Sequence, residues 1–305
     1  MPELPDITIY LEALERRLLG RAFEKIRVAS PFVVRTFDPK IVEAEKKQIL
    51  ALRRLGKRIV FELEGDLFLV IHLMIAGRFH WKDKPGVKVA GKIGLAAFDL
   101  PEATLMLTEA SSKKRASIHL VRGAAALEEF RRGGLEITDA TYERFRDVLL
   151  SENHTLKRAL TDPTLFSGIG NSYSDEILHR AKMSPVRLTQ KMDDGEIKRL
   201  WRATRETLLE WTERLRRELG DKFPEKVTAF RPEMAVHGRY KLPCPVCGSP
   251  VQRIVHAENE TNYCPTCQTG GKLLADRALS KLLHGDWPRS LDEMDEKKAA
   301  ARDPK

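Results

Sequence analysis

Apolar positions near the amino terminus recur with helical spacing. They are separated by four, three and four residues, and they are Ile7, Leu11, Leu14 and Leu18. This spacing places the four side chains on one face of a helix. Pro5 suits the first helical turn, where its missing N–H costs little, and Asp6 adds a negative charge at the positive end of the helix dipole. We therefore predict that the chain begins with a structured helix.

From about residue 21 to residue 122, short β-prone runs follow one another. These runs are Phe23–Val28, Ile59–Leu63, Leu67–Leu73, Leu95–Phe98, Thr104–Thr108 and Ser117–Val121. Turn signals such as Glu64-Gly65-Asp66 separate them. Many short strands divided by turns predict a β-sandwich or a barrel.

A second change of pattern follows Gly133-Gly134, which is a candidate linker. Beyond it the chain reads as helical, and residues 196–219 carry an apolar stripe that indicates core packing. Residues 221–240, rich in Lys, Arg, Pro and Phe, are predicted to form a loop. The last residues, 291–305, are charged and Ala-rich, and we expect this end to fray.

Length and charge limit the possible functions. A chain of 305 residues favours two or three domains, and 53 basic against 44 acidic residues give a net charge of +9. This surplus suggests a polyanionic partner, most simply nucleic acid, although a basic enzyme without such a partner has the same balance. No apolar run approaches the ~20 residues that span a bilayer, and a secretory signal is lacking. We predict a cytoplasmic protein that has no membrane partner and associates with the nucleoid through DNA.

The four cysteines form two CxxC pairs. Sixteen residues separate the pairs, which comprise Cys244, Cys247, Cys264 and Cys267. This spacing fits a zinc ribbon, in which four thiolates surround one ion and leave no open position for substrate. The predicted cofactor is therefore one structural zinc ion. A redox dithiol would occur as a single pair in a βαβ context, whereas an iron–sulfur cluster is compatible with the spacing.

Five segments in the same order along the chain resemble motifs of the formamidopyrimidine-DNA glycosylase and endonuclease VIII family. The segments are Pro2–Asp6, Arg53–Arg58, His72–Gly77, Gly168–Leu178 and Tyr263–Gln268. They are similar to the family's amino terminus and to its RR-x-GK, HLGMSG, GIGN-x-YADE-x-L and YCP-x-CQ motifs. Together they extend over nearly the whole chain.

The resemblance implies an α+β fold. An N-terminal helix and β-sandwich would form a catalytic domain at 1–130, followed by a helix-two-turn-helix DNA-binding domain at 131–235. A C-terminal zinc-ribbon hairpin would occupy 236–285, and a flexible tail 286–305. The implied partner is damaged DNA, and we expect the protein to be a monomer.

The resemblance further implies a bifunctional DNA glycosylase and AP lyase of base excision repair. Matched by position, Pro2 would be the nucleophile that attacks C1′ of the damaged nucleotide, Glu3 would transfer a proton, and Lys57 would contact a phosphate and assist elimination. Removal of Met1 exposes a secondary amine whose pKa of about 8 leaves a useful neutral fraction at pH 7. Asp6 stands where the family has Glu, and it either joins a proton relay or caps the helix. The alternative is a non-catalytic or single-strand-directed damaged-DNA-binding protein on the same scaffold.

Further positions match residues that hold DNA in the family. Those at phosphate-contacting positions are Lys157, Gly170 and Asn171. Tyr173 is either a core residue or a DNA-facing one. Ile75 occupies the place of a void-filling Met, and Lys114 or Arg115 would fill the gap left by the flipped base.

Departures from the family motifs predict an altered choice of lesion. Asn259 stands where the family has a phosphate-clamping arginine, and Glu258 and Glu260 flank it, so phosphate binding should be weaker. The cations that could compensate are Arg253 and Lys272. The 111–117 loop lacks an aromatic wedge, and 221–240 lacks the Gly/Thr-rich cover used for 8-oxoguanine. We predict a preference for oxidised pyrimidines, ring-opened purines or abasic sites.

Overall fold

The computed structural model describes residues 1–89, 91–256, 259–274 and 288–302. The chain divides into two compact units. The first unit comprises Met1–Gly134 and Leu208–Ala229, and the second comprises Leu135–Thr207 and Phe230–Lys305. Within the described residues, no helix is long and apolar enough to cross a membrane.

Helix α1 (Leu4–Leu18) opens the first unit. Ile7, Leu14 and Leu18 are fully buried, as the helical spacing predicts. Pro5 lies in the first turn, and the last turn carries two arginines that favour the negative end of the helix dipole. The predicted amino-terminal helix is confirmed.

In the described part of the first unit, eight strands form two antiparallel four-stranded sheets. In spatial order, one sheet consists of β1 (Lys25–Val28), β6 (Gly94–Asp99), β7 (Thr104–Glu109) and β5 (Gly77–Lys82). The other consists of β2 (Ile49–Leu55), β3 (Arg58–Leu63), β4 (Leu67–His72) and β8 (Ser117–Arg122). A short helix, α2 (Ala124–Glu128), follows β8.

The core of the first unit lies between these sheets. The ring of Phe23 lies 5.9 Å from that of Phe61 in one sheet and 5.1 Å from that of Phe98 in the other. All three are fully buried. Truncating one such ring to Ala typically costs about 3–5 kcal/mol, because the lost transfer free energy is joined by a cavity.

The second unit is mainly helical. Its helices are α3 (Tyr142–Leu150), α4 (Leu156–Thr161), α5 (Asn171–Arg180), the first part of α6 (Asp194–Leu219), α7 (Pro265–Thr269) and α8 (Leu291–Arg302). Thr141 and Thr155 cap α3 and α4, since each hydroxyl accepts a backbone N–H of the first turn. Strands β9 (Gln252–His256) and β10 (Asn259–Tyr263) form an antiparallel hairpin. The structure therefore has the predicted α+β fold, with a sandwich, paired helices and a cysteine-bearing hairpin.

Two strands were not predicted from the sequence, β2 and β5. In β2 the register shifts between Ile49 and Ala51, so the buried positions, Ile49, Leu52 and Leu55, lack the alternation of a regular strand. Strand β5 has one buried and one half-buried apolar position, Phe79 and Trp81, between polar residues. Both patterns are too weak to identify a strand by period.

The carboxyl end also differs from the prediction. Residues 291–302 form α8, within the segment that we predicted to fray as a flexible tail. The Ser290 hydroxyl accepts the backbone N–H of Glu293 at 3.2 Å, and the segment is rich in Ala, Glu and Lys, which favour helix. Other parts of the predicted hairpin domain and tail, 257–258, 275–287 and 303–305, lie outside the described residues.

Candidate functional site

The start of α1 buries the predicted nucleophile and its acidic neighbours. Pro2 is buried, and Glu3 and Asp6 are only 2% and 3% exposed. The backbone N–H of Glu3 donates to Asp6 Oδ2 at 3.0 Å. This contact satisfies a donor at the helix start and fixes the backbone at Glu3. Of the two interpretations of Asp6, the geometry supports helix capping.

Charged groups from three elements surround the amino terminus. Burial lowers the pKa of the Met1 α-amino group. Glu3 and Asp6 raise that pKa, whereas Arg78 and Lys57 lower it. The charge of Lys57 therefore reaches the Met1 amine, although its effect is the smallest of the four. A lowered pKa increases the neutral, nucleophilic fraction of an amine at neutral pH.

Lys57 lies in the tight connection between β2 and β3, after Gly56. Gly56 has φ 61°, which its missing Cβ permits. Close to this turn, burial, followed by the charges of Arg58 and Lys57, lowers the pKa of His72 to about 4. A group of cations so placed attracts phosphate.

The turn between β4 and β5 presents Ile75 to solvent with 56% of its surface exposed. The backbone N–H of Gly77 donates to Leu73 O at 2.8 Å. A Cβ at Gly77 would lie 2.2 Å from that oxygen, so only glycine fits here. Arg78 Nη1 donates to Gly77 O at 2.6 Å and to Ile75 O at 3.2 Å. The turn is therefore held firmly, with an apolar side chain at its tip.

Residues 221–229 form the predicted loop, and they belong to the first unit. Glu225 accepts the Trp81 backbone N–H at 3.1 Å and lies 2.8 Å from His80 Nδ1. Arg78 Nε donates to the carbonyl of Val227. Phe223 is buried with its ring 6.0 Å from that of Tyr10. The segment is fastened along its length to β5 and α1.

The loop that bears Lys114 and Arg115 is tied to the buried carboxylate of Glu109. Glu109 Oε2 accepts the backbone N–H groups of Arg115 at 2.9 Å and Ala116 at 3.1 Å. Lys114 Nζ donates to the Glu109 carbonyl, whereas the Arg115 residue is exposed. Of the two predicted void fillers, Arg115 is therefore the one that faces solvent.

In the second unit, Lys157 and Asn171 are held near the start of α5. Lys157 Nζ donates to Asn171 O at 2.7 Å and to Asp175 Oδ1 at 2.5 Å. Gly170, which precedes the helix, is buried. Tyr173 is only 1% exposed, and of the two interpretations of this residue its burial favours a place in the core.

Two adjacent buried carboxylates join α5 to the chain around the hairpin. Asp175 Oδ2 lies 2.8 Å from His237 Nδ1 and accepts the Asn262 backbone N–H at 3.2 Å. Glu176 accepts three consecutive backbone N–H groups, those of residues 235–237, at 2.7–3.0 Å. Burial raises the pKa of Glu176 although these donors lower it. Buried carboxylates with this many partners fix the local backbone.

The four cysteines bind a single structural zinc ion. Their Sγ atoms all lie within 4.8 Å of one another, with Cys247 and Cys264 3.4 Å apart and Cys244 and Cys267 4.0 Å apart. A tetrahedron with Zn–S bonds of about 2.3 Å has edges of about 3.8 Å, so the spacing fits. His179 Nε2, at the end of α5, lies 3.3 Å from Cys244 Sγ.

Asn259 is exposed at the first position of β10. Arg253, one candidate to compensate for its missing charge, is paired with Glu260 at 2.9 Å, and its guanidinium lies 4.3 Å from the centre of the Tyr240 ring. Lys272, the other candidate, is exposed. Glu258 lies outside the described residues.

Sequence reasoning missed three residues that the structure connects to these sites. Arg78 directly follows the His72–Gly77 motif, and its place beside that motif is the only feature of the sequence that could have identified it as a site residue. His179 likewise directly follows the Gly168–Leu178 motif, whereas His237 lies in none of the motifs; the partners of both, Cys244 and Asp175, are more than 60 residues away in sequence.

Three family models match consecutive parts of the chain. The formamidopyrimidine-DNA glycosylase N-terminal domain matches residues 1–120 and the H2TH domain of the same enzymes matches 135–217. The zinc finger found in FPG and IleRS matches 241–270.

Similar proteins and structures are found in several bacteria. A formamidopyrimidine-DNA glycosylase of Thermus thermophilus is 34% identical over 279 residues, covering 89% of this chain and 100% of the relative. An uncharacterized formamidopyrimidine-DNA glycosylase-like protein of Mycobacterium tuberculosis is 39% identical over 150 residues, covering 49% of this chain and 93% of that protein. The structure of Lactococcus lactis Fpg with DNA containing an abasic site has a TM-score of 0.76 and 26% identity, covering 88% of this chain and 99% of the other. Its complex with DNA containing an oxidized pyrimidine has the same TM-score and identity.

Proposed function

Because this chain belongs to the formamidopyrimidine-DNA glycosylase family, we propose that it is a DNA glycosylase of base excision repair that also cleaves the strand at the resulting abasic site. The observation that carries the proposal is the buried amino terminus, where Pro2 adjoins the buried acid Glu3 and the charge of Lys57 reaches the neighbouring Met1 α-amino group. Removal of Met1 would leave the secondary amine of Pro2 in this buried position, where it is suited to nucleophilic attack.

In the proposed reaction, removal of Met1 makes Pro2 the nucleophile. Its nitrogen bonds to C1′ of the damaged nucleotide, the bond from C1′ to the base breaks, and the base leaves with a proton. The C1′–O4′ bond then opens to give an iminium ion. Loss of a C2′ proton expels the 3′ phosphate, and a further elimination expels the 5′ phosphate. Water finally hydrolyses the imine and restores the amine.

Within this reaction, the chain's own groups would move protons and hold phosphate. Glu3 is the acid nearest to the nucleophile along the chain, and its burial suits it to carry a proton. Lys57 would bind the phosphate beside the lesion and stabilise the departing charge. Asp6 would act indirectly, since its carboxylate holds the backbone of Glu3.

In the second unit, DNA phosphate would bind at the start of α5. The helix has ten residues, so its first N–H groups and dipole favour an anion. Lys157 and Asn171 would add a charge and an amide there. The neutral Asn259 would contribute less to phosphate binding than a cation.

We further propose an altered lesion preference, for oxidised pyrimidines, ring-opened purines or abasic sites. Three features support it: segment 221–229 lacks a Gly/Thr-rich cover for 8-oxoguanine, the 111–117 loop lacks an aromatic wedge, and Asn259 is neutral. Lactococcus lactis Fpg, a structural relative, has been crystallised with DNA containing an abasic site or an oxidized pyrimidine, and a mutant of that enzyme with DNA containing Fapy-dG.

Borohydride trapping on an oligonucleotide with one abasic site tests the proposed activity. Mass spectrometry of the protein first establishes that Met1 has been removed. We expect a covalent complex with the wild type and none with Pro2→Gly. A protein that lacks Met1, binds this DNA and yields no trapped complex would instead be a non-catalytic damaged-DNA-binding protein, the alternative that Asp6 and Asn259 favour. A lesion panel then defines the base that is removed.

A further inference from the structure

Phe230 presents a large apolar ring to solvent and is nevertheless held in one place. The residue is 71% exposed. Its ring centre lies 5.7 Å from that of His237, and the two ring planes differ by 18°, so the rings are stacked. A Cβ at Gly238, where φ is +70°, would lie only 2.7 Å from Cδ1 of Phe230, so the phenyl ring packs directly against this backbone. An exposed ring with two such contacts keeps a defined orientation.

The support beneath this ring is buried and hydrogen-bonded. His237 is 5% exposed, and its Nδ1 lies 2.8 Å from Oδ2 of Asp175. The backbone N–H of His237 donates to Oε1 of Glu176 at 3.0 Å. Arg239 Nη1 donates to the carbonyl of Pro232 at 2.7 Å, which folds segment 230–239 back on itself. A side chain whose supports are already fixed loses little further freedom when it binds a partner.

The carboxylate beside His237 also holds the proposed phosphate site. Oδ1 of Asp175, a fully buried residue, accepts from Lys157 Nζ at 2.5 Å. The same Nζ donates to Asn171 O at 2.7 Å, at the start of α5. Only two side chains, those of His237 and Asp175, therefore connect the Phe230 ring to Lys157. A DNA strand bound there by a phosphate would have its neighbouring nucleotides within reach of the ring.

The ring also lies in a basic part of the chain. Residues 230–241 include three cations, Arg231, Arg239 and Lys241, and one acid, Glu233. Proteins that bind unpaired nucleic acid combine cations, which follow the phosphate backbone, with aromatic side chains on which bases stack. This combination favours a nucleotide over an apolar protein segment as the occupant of the exposed ring.

We propose that Phe230 is a stacking platform for one unpaired nucleobase of the DNA strand whose phosphate binds at the start of α5. This inference rests on the function proposed above and adds a recognition element to it. A base that stays paired presents both faces to its neighbours in the duplex, so only an unstacked base can cover the ring. Every base has such a face, so the platform adds affinity for an unpaired nucleotide without selecting among bases.

Two duplexes that differ in one residue isolate this contact. One carries a single bulged thymidine, and the other carries at the same position a tetrahydrofuran residue, which lacks a base. Thymine is undamaged, so binding is measured without excision. Phe230→Leu keeps an apolar side chain but loses the flat ring, whereas Phe230→Tyr keeps the ring. Phe37→Leu is the matched control, because Phe37 is 90% exposed and belongs to the first unit.

Fluorescence anisotropy across a salt series measures the affinity for each duplex and its salt dependence. In Phe230→Leu we expect binding of the thymidine bulge to weaken about 5- to 100-fold, the range for one base stacked on an aromatic side chain, and binding of the tetrahydrofuran bulge to stay unchanged. The slope of log K against log salt should keep its wild-type value, because no charge is removed. Phe230→Tyr and Phe37→Leu should bind both duplexes as the wild type does.

Phe230→Trp gives a second readout that does not depend on the folding of the leucine variant. Its additional emission, measured against the wild type, should be quenched more by the thymidine bulge than by the tetrahydrofuran bulge. The platform is overturned if Phe230→Leu weakens both duplexes alike or neither of them, or if the tryptophan emission does not distinguish the two. Failure of the wild type to bind either duplex would instead contradict the proposed function itself.

Discussion

His179 at the end of α5 lies with Nε2 3.3 Å from Sγ of Cys244, and both side chains are buried. A ring N–H that donates to a zinc-bound thiolate orients the sulfur and offsets part of its negative charge. Hydrogen-bonding partners of metal ligands typically change metal affinity by about 10- to 100-fold.

We therefore expect His179→Phe to release zinc faster to a chelator than the wild type, by about tenfold or more. His179→Gln, which keeps an N–H donor, should restore most of the retention. Zinc release is followed with a colorimetric chelator, and the cobalt-substituted protein reports the thiolate environment in its absorption spectrum. Equal release from all three proteins would show that this contact does not support the metal.

Substitutions of Asp6 separate helix capping from proton transfer. Asp6→Ala removes the acceptor of the Glu3 N–H and should lower the free energy of unfolding by about 0.5–2 kcal/mol. Asp6→Asn keeps an acceptor oxygen but carries no titrating proton. We expect it to retain most of the stability and most of the trapping rate. A folded Asp6→Asn protein that cannot be trapped would assign Asp6 to the proton relay instead.

His72 should make the first unit sensitive to acid. Its pKa is lowered to about 4 by burial and then by Arg58 and Lys57, against about 6.5 in an unfolded chain. The unfolded chain therefore binds the proton more tightly, so the stability contributed by neutral His72 is present above pH 6.5. It is lost as the pH falls from about 6.5 towards 4.

The expected loss between pH 7 and pH 5 is about 1–2 kcal/mol. Urea unfolding of the wild type and His72→Gln at both pH values measures it. The difference between the two proteins removes contributions from other groups, including the cysteine site. If both proteins lose the same free energy on acidification, His72 does not titrate as described.

Asn259→Arg tests the weakened phosphate contact of the hairpin. If Asn259 faces a phosphate, the new cation should steepen the slope of log K against log salt by about 0.9. Fluorescence anisotropy of labelled abasic-site DNA across a salt series measures that slope. Asn259→Gln, which changes the side chain at the same position without adding a charge, is the comparison. A slope that Asn259→Arg leaves unchanged would mean that position 259 does not meet the DNA backbone.

Local patterns in the sequence were sufficient for much of the fold. Helix α1 follows from its apolar spacing, six strands from short β-prone runs, and the zinc site from the two CxxC pairs. Strand β2 was missed because its bulge breaks the alternation of buried positions. The helix at 291–302 was missed because a high density of charged residues is also typical of a disordered chain end, although Ala, Glu and Lys favour helix.

In the candidate site too, residues within motifs could be predicted from the sequence, whereas residues defined by distant contacts could not. The motifs identified Pro2, Glu3 and Lys57, because each of these residues lies within a short segment that resembles the family. They did not reveal Arg78, whose partner Val227 is 149 residues away, nor His237, which meets Asp175 across 62 residues. Tyr173 was ambiguous because its burial depends on tertiary packing rather than on its place in a motif.

Helix α5 links the proposed phosphate site of the second unit to its metal site. Asn171 Nδ2 donates to Glu260 O at 2.7 Å, Asp175 accepts from the Asn262 N–H, and His179 meets Cys244. Residues 171, 175 and 179 share one helix face at successive turns. A ligand that stabilises this helix face at one end should therefore favour binding of the ligand at the other end. Thermodynamic linkage requires the two changes in binding free energy to be equal. Bound DNA should therefore strengthen zinc binding by the same free energy with which bound zinc strengthens the binding of DNA.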